Sequence, residues 1–338
     1  MSRDPAEQLL VPWGSPEPAA GRPRISVAIP TLNGGSRLLE LLTAVYAQDL
    51  ADGALEILLA DSESDDGSIS KVLERFPRAR LFTVDRRRFN HGLVRTAMVE
   101  AAQAPLVALF SQDAVPLGRD YLAAMSATLE GDRVAGVYAR QIPRPGADPL
   151  VREMLYRWTP PAVEGVDRGL QLRALPEGAP LDTFPPMDRM KLARFDNVGS
   201  MVRAEVVRRI PFPVREFGED ISWGANVLAA GFSLAYLPTA CVEHHHAPLI
   251  GRTFRRNRLA HRQAREEFGL HSVPDLRHLA RALVTGLPQD FRQGPLWALR
   301  GLPRRGAALL GQWAGARDAL RERADGSPAS TSSAGENR

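Results

Sequence analysis

The chain has 338 residues, 44% of them hydrophobic and 24% charged, which is ordinary for a globular protein with one large core or two modest ones. Its single cysteine, Cys241, excludes an internal disulfide bond and favours the reducing cytosol. The pI of about 9.6 leaves two interpretations open, an anionic partner and an arginine-rich composition without one. No apolar stretch reaches the roughly 18–20 residues of a membrane span.

Residues 1–23 are rich in Pro, Gly and Ala and lack a signal-peptide pattern, so a flexible lead-in is predicted there. From residue 24 to about 140, short apolar runs then alternate with helical patterns. The runs at 25–30, 55–61, 80–84 and 105–113 are typical of strands covered on both faces. Strand–helix alternation predicts βαβ units and a mostly parallel sheet, whose ligands bind beyond the carboxyl ends of the strands.

An acidic segment, "DSESDDGS", follows the second predicted strand. Ser64 and Asp65 are explained at least as well by capping of the next helix as by a ligand. Asp61 ends the apolar run itself, so it is the better candidate to accept a ligand N–H, for example from a nucleobase.

The segment "RRRFNHGLVR" (86–95) places arginines and His91 before a helix. A basic cluster beside a helix N-terminus favours a pyrophosphate. A solvated basic loop is an equally good interpretation of these residues alone.

The fourth predicted strand leads into "SQDA", and a later one leads into "EHHHA". In an extended segment His244 and His246 point to one side and His245 to the other. Asp113 with one or two imidazoles has the donor atoms for a divalent metal with open positions for substrate oxygens. Helix entry for Asp113 and a surface histidine cluster remain the alternatives.

Residues 141–250 are richer in proline. Here "MDRMKLARFDNVGSMVRAEVVRRIPF" predicts two strands and a short helix, and "FGEDISWGANVLAAGF" predicts a helix that stops at Gly231. Glu219 and Asp220 stand at the entrance of that helix. They fit stabilisation of the helix dipole and also a general base that takes a proton from a hydroxyl.

Residues 251–322 form a basic helical extension. Arginines crowd its first part, and an apolar stripe follows at Leu276, Leu279, Ala280 and Leu283. Packing on the preceding domain and contact with an anionic bilayer are both compatible with this pattern. Residues 323–338 are poor in hydrophobic residues and are predicted to be disordered.

Taken in order, "VAIPTLNGG", "ILLADSESDDGS", "FNHG", "FSQDAVP", "VYARQIPR", "FDNVGSMVRAEVVRRIPFP", "FGEDISWGANVLAAGF" and "CVEHHHA" resemble the family-2 glycosyltransferases, most of all the bacterial rhamnosyltransferases. The resemblance covers about residues 24–250. It implies a GT-A fold, a nucleotide-sugar donor, a divalent metal (Mg²⁺ or Mn²⁺) and inversion at the anomeric carbon. The implied product is a cell-surface polysaccharide, and the acceptor is a glycan or a polyprenyl-linked saccharide.

The resemblance also implies roles for individual residues. The donor pocket would be lined by Pro30, Thr31, Asn33, Asp61 and Gln112. His91 and Arg95 would approach the ribose or pyrophosphate side of the donor. Asp113 matches the last acid of the family's Asp-x-Asp metal motif, His244 or His246 matches its metal histidine, and Asp220 matches the base, with Glu219 next in line.

The chain departs from the family pattern at two places. Its Asp-x-Asp motif is reduced to Ser111-Gln112-Asp113, and the helix after "FNHG" lacks the usual Asn and Gly. Three other functions remain alternatives. A sugar-1-phosphate nucleotidyltransferase should have a Gly-rich basic loop after the first strand, and "PTLNGGSR" is a poor match to it. A non-catalytic sugar-nucleotide-binding protein needs no base, so "QDA" and "GED" argue against it. A nucleic-acid binder needs a basic face with interleaved aromatic residues, and the arginine-rich C-terminal region has few.

Overall fold

The protein is seen in a computed structural model that describes residues 9–13, 22–51, 53–131, 133–162, 169–244, 249–292 and 294–324. The described strands are β1 (Val11–Pro12), β2 (Ile25–Thr31), β3 (Leu55–Asp61), β4 (Arg80–Thr83), β5 (Leu106–Phe110), β6 (Val115–Leu117), β7 (Val134–Ile142), β8 (Gln171–Arg173), β9 (Gly199–Arg203) and β10 (Ser233–Glu243). The described helices are α1 (Gly35–Tyr46), α2 (Ser68–Arg75), α3 (His91–Ala101), α4 (Tyr121–Thr128), α5 (Pro149–Trp158), α6 (Pro186–Ala193), α7 (Ala204–Arg209), α8 (Glu219–Ala229), α9 (Ile250–Phe268), α10 (Leu276–Arg292) and α11 (Pro295–Ala324).

These strands form one sheet in the order β1-β4-β3-β2-β5-β9-β7-β10-β6, with β8 attached to β10. The neighbours among β4, β3, β2 and β5 are parallel, and so are β7 and β10, while β9 runs antiparallel between β5 and β7. The predicted parallel central strands are therefore confirmed, while β9 and the outer strands β1, β6 and β8 run antiparallel to their neighbours and make the whole sheet mixed. The strand order reverses at β2, which has β3 on one side and β5 on the other, and this is where such sheets bind ligands.

Alternate residues of the central strands supply two separate cores, one on each face of the sheet. On β2, Val27 and Ile29 pack in the core beneath α1, α2 and α4, whereas Ala28 belongs to the core on the side of α3, α7 and α8. All three side chains are fully buried. Burial on both faces explains why the sequence of β2 is continuously apolar rather than alternating.

The segment before α8 differs from its prediction. The structure contains two helices, α6 and α7, and one strand, β9, where two strands and a short helix were expected. Pro186 occupies the first turn of α6, where its missing N–H is no loss. The apolar residues of α7, Val206 and Val207, are buried beside α3 and not in the sheet.

The predicted lead-in contains an ordered element. Val11 and Pro12 form β1, which pairs antiparallel with β4, and the side chain of Leu9 is buried. A proline is tolerated here because β1 is an edge strand. The remaining residues of that lead-in, 1–8 and 14–21, and the tail from 325 onward lie outside the described residues.

The C-terminal helices pack against the rest of the protein. The amide of Gln263 on α9 donates to the carbonyl of Gly218, 2.6 Å away, and Arg189 on α6 donates to the carbonyl of Phe268. Arg304 on α11 forms an ion pair with Asp148 at the start of α5. The packing interpretation therefore holds for α9 and α11. Among the described residues, no helix has the length and apolar character needed to cross a membrane.

Candidate active site

Asp113 and His244 meet at the carboxyl ends of β5 and β10. The Nε2 atom of His244 lies 3.5 Å from Oδ1 of Asp113, and both side chains are largely buried. The strands bring them together because β10 runs beside β7 and pairs on its other edge with β6, which begins two residues after Asp113. His246, the second predicted histidine, lies outside the described residues.

A chain of hydrogen bonds fixes the orientation of the His244 ring. The side-chain amide of Gln141 donates from Nε2 to the Asp196 carboxylate, 2.5 Å away, so its Oε1 faces Nδ1 of His244 at 2.8 Å. Nδ1 must then carry the proton, and the lone pair of Nε2 faces Asp113. Asp196 also accepts from the indole of Trp158 and the amide of Val198, but its burial outweighs these hydrogen bonds and raises its pKa overall.

An imidazole nitrogen facing a carboxylate is an arrangement suited to a cation between them. A metal-binding histidine usually donates its other N–H to a neighbouring acceptor, as His244 does to Gln141. Among the described residues no cluster of three or more His, Cys, Asp or Glu side chains could hold a metal ion. The pair fits a metal whose remaining ligands come from substrate and water, as Mg²⁺ sites often do.

Arg144 lies beside this pair and was not predicted from the sequence. Its guanidinium donates to the backbone carbonyl of Asp113 at 2.9 Å and lies 4.0 Å from the Asp113 carboxylate. Its Nε is 3.3 Å from the carboxylate of Glu243. A fixed positive charge therefore accompanies the carboxylates at this end of the sheet.

Gln112 joins the ends of β2 and β5. Its Oε1 accepts from the Thr31 hydroxyl at 2.7 Å and from the Leu32 amide at 2.8 Å, and its Nε2 donates to the Leu32 carbonyl at 2.9 Å. Because its amide is engaged on both sides, Gln112 acts on the loop after β2. Its predicted direct contact with a donor stays a prediction.

The loops after β2 and β3 are tied together around Asp61. The carboxylate of Asp61 is buried and accepts from the Ser64 amide at 3.0 Å and the Ser64 hydroxyl at 2.5 Å. Asn33 lies in the left-handed region with φ of 49°. Its backbone N–H donates to the Ser64 hydroxyl, and its side-chain oxygen accepts from the backbone N–H of Asp65. The expected Asp65 cap of α2 is instead formed by Asp66, which accepts from the Ser68 amide and hydroxyl.

Arg95 and Glu219 form a buried ion pair between α3 and α8. Burial alone would raise the pKa of Glu219, but the charge of Arg95 is the main cause that lowers it overall. The guanidinium of Arg95 therefore has a carboxylate partner in Glu219, and its predicted approach to the donor stays a prediction. Glu219 is correspondingly placed as a counter-ion.

His91 begins α3 beside that ion pair. The density of surrounding protein and the charge of Arg95 lower its pKa to about 4, so its ring is neutral at neutral pH. Its side chain is nevertheless exposed to solvent. The two observations agree if His91 lies in a concave surface, open to water but surrounded by protein. Such a position is compatible with the predicted approach to a ribose.

Asp220 is the second residue of α8 and is partly exposed. Its Oδ1 accepts from the Ile221 amide at 2.9 Å, and its Oδ2 lies 3.3 Å from the Asn197 amide. Desolvation, followed by the negative charges of Glu219 and Asp196, raises the pKa of Asp220 well above its ordinary value. A carboxylate with a raised pKa is better suited to accept a proton near neutral pH.

Gly218 allows the turn that presents these two acids. Its φ is 72°, a region that favours glycine, and a Cβ atom there would lie 1.8 Å from Oε1 of Gln263. The sequence "FGED" therefore needs its glycine for both the turn and the approach of α9.

The segment 196–198 connects the two acidic centres. The carbonyl of Val198 accepts from the Ser111 amide at 3.1 Å, close to Asp113, while the Asn197 amide reaches Asp220. Asp196 in the same segment ends the hydrogen-bond chain from His244. Asp113 and Asp220 thus flank one short segment, with the Asp113–His244 pair on one side of it and the carboxylate of Asp220 on the other.

The comparisons with known proteins agree with this architecture. Residues 26–173 match the family model described as "Glycosyl transferase family 2". The O-antigen chain rhamnosyltransferase RfbN of Salmonella typhimurium is 23% identical over 227 residues, which cover 66% of this chain and 67% of that protein. The similar O-antigen chain rhamnosyltransferase WbaN of Salmonella anatum is 22% identical over 227 residues, covering the same shares.

Among solved structures, the mannosyltransferase PcManGT of Pyrobaculum calidifontis aligns with a TM-score of 0.51 and 20% identity over 92% of this chain and 78% of its own. Glucosyl-3-phosphoglycerate synthase of Mycobacterium tuberculosis aligns with a TM-score of 0.50 and 18% identity, over 76% of this chain and 82% of its own. At these identities the structures establish the shared GT-A fold.

Proposed function

We propose a specific reaction for this chain, whose residues 26–173 match the glycosyl transferase family 2 model: inverting, metal-dependent transfer of a sugar from a nucleoside diphosphate to a hydroxyl group. One observation supports it above all. The Asp113–His244 pair and the high-pKa carboxylate of Asp220 flank the same segment at the carboxyl ends of the strands. Displacement at a sugar carbon needs a centre for the leaving group and a base for the attacking group.

The nucleotide would bind where the loops after β2 and β3 meet. Asp61 keeps acceptor capacity beyond its two bonds to Ser64, because a carboxylate offers about four lone-pair sites. That capacity suits an N–H of a pyrimidine base. Pro30, Thr31 and Asn33 would border the same pocket, and the neutral ring of His91 would approach the ribose.

Asp113 and His244 would hold a divalent metal, Mg²⁺ or Mn²⁺, together with oxygens of the donor's diphosphate. Bound there, the metal would stabilise the negative charge that develops on the leaving diphosphate. The PcManGT structure, which shares the fold, was solved with GDP-Man and Mn²⁺. Gln141 keeps the His244 lone pair directed toward Asp113, as such a site requires.

Asp220 would act on the acceptor. As the hydroxyl oxygen forms its bond to the anomeric carbon, the proton passes to the Asp220 carboxylate, and the bond from that carbon to the diphosphate oxygen breaks with its electron pair. Because the nucleophile enters opposite to the leaving group in a single displacement, the product has the inverted configuration.

The named relatives support a choice of sugar. RfbN and WbaN are O-antigen chain rhamnosyltransferases, so we assign the donor as dTDP-L-rhamnose and the acceptor as a glycan or polyprenyl-linked saccharide used for cell-surface polysaccharide. Another nucleotide sugar is the second candidate. A sugar-1-phosphate nucleotidyltransferase or a non-catalytic sugar-nucleotide-binding protein would not transfer sugar to a hydroxyl.

A donor screen tests this proposal. Binding of dTDP-, UDP- and GDP-sugars would be measured by calorimetry with Mn²⁺ or Mg²⁺, and the best donor would then be incubated with glycan acceptors. We expect preferential binding of dTDP-rhamnose, loss of transfer in excess chelator, and an inverted linkage by NMR. Full activity in chelator or a retained configuration would contradict the proposal.

We further propose that the enzyme works in the cytoplasm at the inner face of the membrane. Leu276, Val284 and Phe291 on α10 are each about 60% exposed and recur at helical spacing, with Arg277 and Arg281 nearby. Arginines beside an apolar face favour an anionic bilayer, at about 1 kcal/mol for each. Salt-sensitive co-sedimentation with anionic vesicles, reduced by Leu276→Ser and Phe291→Ser, is expected. If the same amount of protein stays in the supernatant with and without anionic vesicles, this proposal is refuted.

A further inference from the structure

One face of α9 lies against the turn that begins α8. Gln263 on this face is buried, and its side-chain amide donates to the Gly218 carbonyl at 2.6 Å and to the Ser222 hydroxyl at 3.0 Å. Glu267, one turn further along α9, accepts a hydrogen bond from the same hydroxyl. Since Gly218 directly precedes the two acids of α8, this face of α9 points toward the proposed active site.

Two arginines lie on the same face, nearer the start of α9. Arg256 precedes Gln263 by seven residues and Arg252 precedes Arg256 by four, so the three side chains share one side of the helix. The opposite side carries Arg258, which pairs with Asp318 on α11. At 1.5 Å per residue, Arg256 lies about 10 Å from Gln263 along the helix axis. The arginines are therefore on the site-facing side of α9 and beyond the Gly218 contact.

Electrostatics indicate which part of the site Arg256 approaches. Burial is the largest cause of the raised pKa of Asp196, and the positive charge of Arg256 is among the causes that oppose it. Because the interaction of two charges weakens with distance, Arg256 lies near Asp196. Asp196 is linked through Gln141 to His244, so this is the side on which His244 meets Asp113.

The side chains of Arg252 and Arg256 are exposed to solvent. Within the part of the chain that the structure describes, neither guanidinium forms a hydrogen bond or an ion pair, in contrast to Arg258 with Asp318. Planar guanidinium forks match the geometry of phosphate oxygens. Residues four apart on a helix have Cβ atoms about 5–6 Å from each other, so both forks can reach neighbouring phosphate groups.

The proposed metal side has a use for additional positive charge. The segment Ser111-Gln112-Asp113 supplies one carboxylate where the Asp-x-Asp motif supplies two. Fewer charged ligands bind a divalent cation less tightly, so the metal alone would neutralise less of a bound diphosphate. The negative charge on the diphosphate grows as its bond to the sugar breaks, and fixed cations placed there would stabilise it.

We propose that Arg252 and Arg256 bind the diphosphate of the sugar donor and stabilise it as the leaving group. This inference rests on the proposed function for the class of donor. When the bond from the anomeric carbon to the diphosphate oxygen breaks with its electron pair, the guanidinium groups face the charge on that oxygen, while the acceptor proton passes to Asp220. A nucleoside without phosphates would bind independently of both arginines.

Calorimetric titration of the full chain tests the inference with two matched pairs of probes, dTDP with thymidine and UDP with uridine. Each is measured in excess chelator and again with Mn²⁺. The test variant is Arg252→Gln/Arg256→Gln. The matched control is Arg317→Gln/Arg321→Gln, two exposed arginines that are also four residues apart, on α11. Both variants lose the same charge, and melting temperatures verify their folding.

In chelator, the better of the two diphosphates should bind the wild type and the control about tenfold or more tightly than its nucleoside does. The test variant should lose this difference and keep its affinity for the nucleoside within about twofold. An unchanged difference in the test variant would overturn the inference. So would a wild type that binds the diphosphate no more tightly than the nucleoside in chelator.

Farnesyl diphosphate is titrated as well, because a lipid-linked acceptor also carries phosphate. If the test variant loses affinity for farnesyl diphosphate and keeps it for both nucleotides, the arginines serve the acceptor and the inference is overturned. The nucleotide results also separate this inference from the proposed function. Equal nucleotide binding by wild type and test variant removes only the inference, whereas no nucleotide binding by any protein, with or without Mn²⁺, removes the proposed function itself.

Discussion

Replacing Glu219 by Gln should shift the pH dependence of transfer. The proposed base, Asp220, must be deprotonated to accept a proton, so activity rises with pH through its raised pKa. The negative charge of Glu219 is among the causes of that raised pKa, second to desolvation. Removing the charge makes the ionised form of Asp220 easier to reach, and the acid limb of the profile should move to lower pH.

The size of the shift follows from Coulomb's law. Two unit charges about 6 Å apart in an effective dielectric constant of about 20 interact by about 3 kcal/mol. Since one pKa unit corresponds to about 1.4 kcal/mol, the limit is about two units. Arg95, left without its partner, would stabilise the ionised Asp220 and shift the pKa in the same direction.

The assay is kcat measured from about pH 4 to 9 with saturating donor. Glu219→Asp keeps the charge and should keep the acid limb, and Glu205→Gln changes an exposed glutamate as a control. Because breaking a buried ion pair costs stability, circular dichroism must first verify that Glu219→Gln is folded. An unchanged acid limb in folded Glu219→Gln would refute the electrostatic reasoning. A loss of kcat by the same factor at every pH would make Glu219 itself the base.

Three further predictions concern the metal side and the turn before α8. Gln141→Leu should weaken Mn²⁺ binding by about 10–100-fold, because the ring of His244 loses its orienting acceptor. Binding is measured by electron paramagnetic resonance with a nucleoside diphosphate present, and an unchanged affinity would contradict that role of Gln141. Asp113→Asn should abolish Mn²⁺ binding in the same titration, and retained binding would place the metal elsewhere. Gly218→Ala should lower the free energy of unfolding by more than Gly178→Ala does, since both glycines have φ near 72° but only at Gly218 would a Cβ atom meet Gln263. Gly178→Ala should lower it by about 1–2 kcal/mol. Equal losses in denaturant titrations would exclude the contact with Gln263 as a cause.

The periodicity of the sequence predicted the sheet well because apolar patterns are local. The strands at 25–30 and 55–61 appear as β2 and β3 within one residue of their predicted ends. The segment 187–212 was less predictable, since short apolar stretches such as "AEVV" fit a strand and a helix equally. Whether such a stretch forms a helix or a strand depends on which surface buries Val206 and Val207, and that surface exists only once the chain has folded.

The candidate site was only partly predictable for the same reason. Asp113 and Asp220 could be identified because "FSQDAVP" and "FGED" belong to the ordered series of motifs that resembles a known family; their positions near a strand end and a helix start alone left capping as an alternative. Arg144, Gln141 and Asp196 lie in motifs that carry the resemblance, but no role was predicted for them, because their importance arises from contacts across 31 to 103 positions of the chain. Arg95 lies in a predicted basic cluster, and the sequence did not predict that the fold would pair it with Glu219, 124 positions away.

The central claim is that Asp220 is the base of a transfer whose donor is held on the side of Asp113. The most direct test is the turnover of Asp220→Asn beside its affinity for the nucleotide sugar. This substitution keeps the shape and removes the basicity, so kcat should fall by roughly a hundredfold or more while donor affinity stays within about twofold. Near-normal turnover, or a loss of donor binding in proportion to the loss of turnover, would contradict the claim.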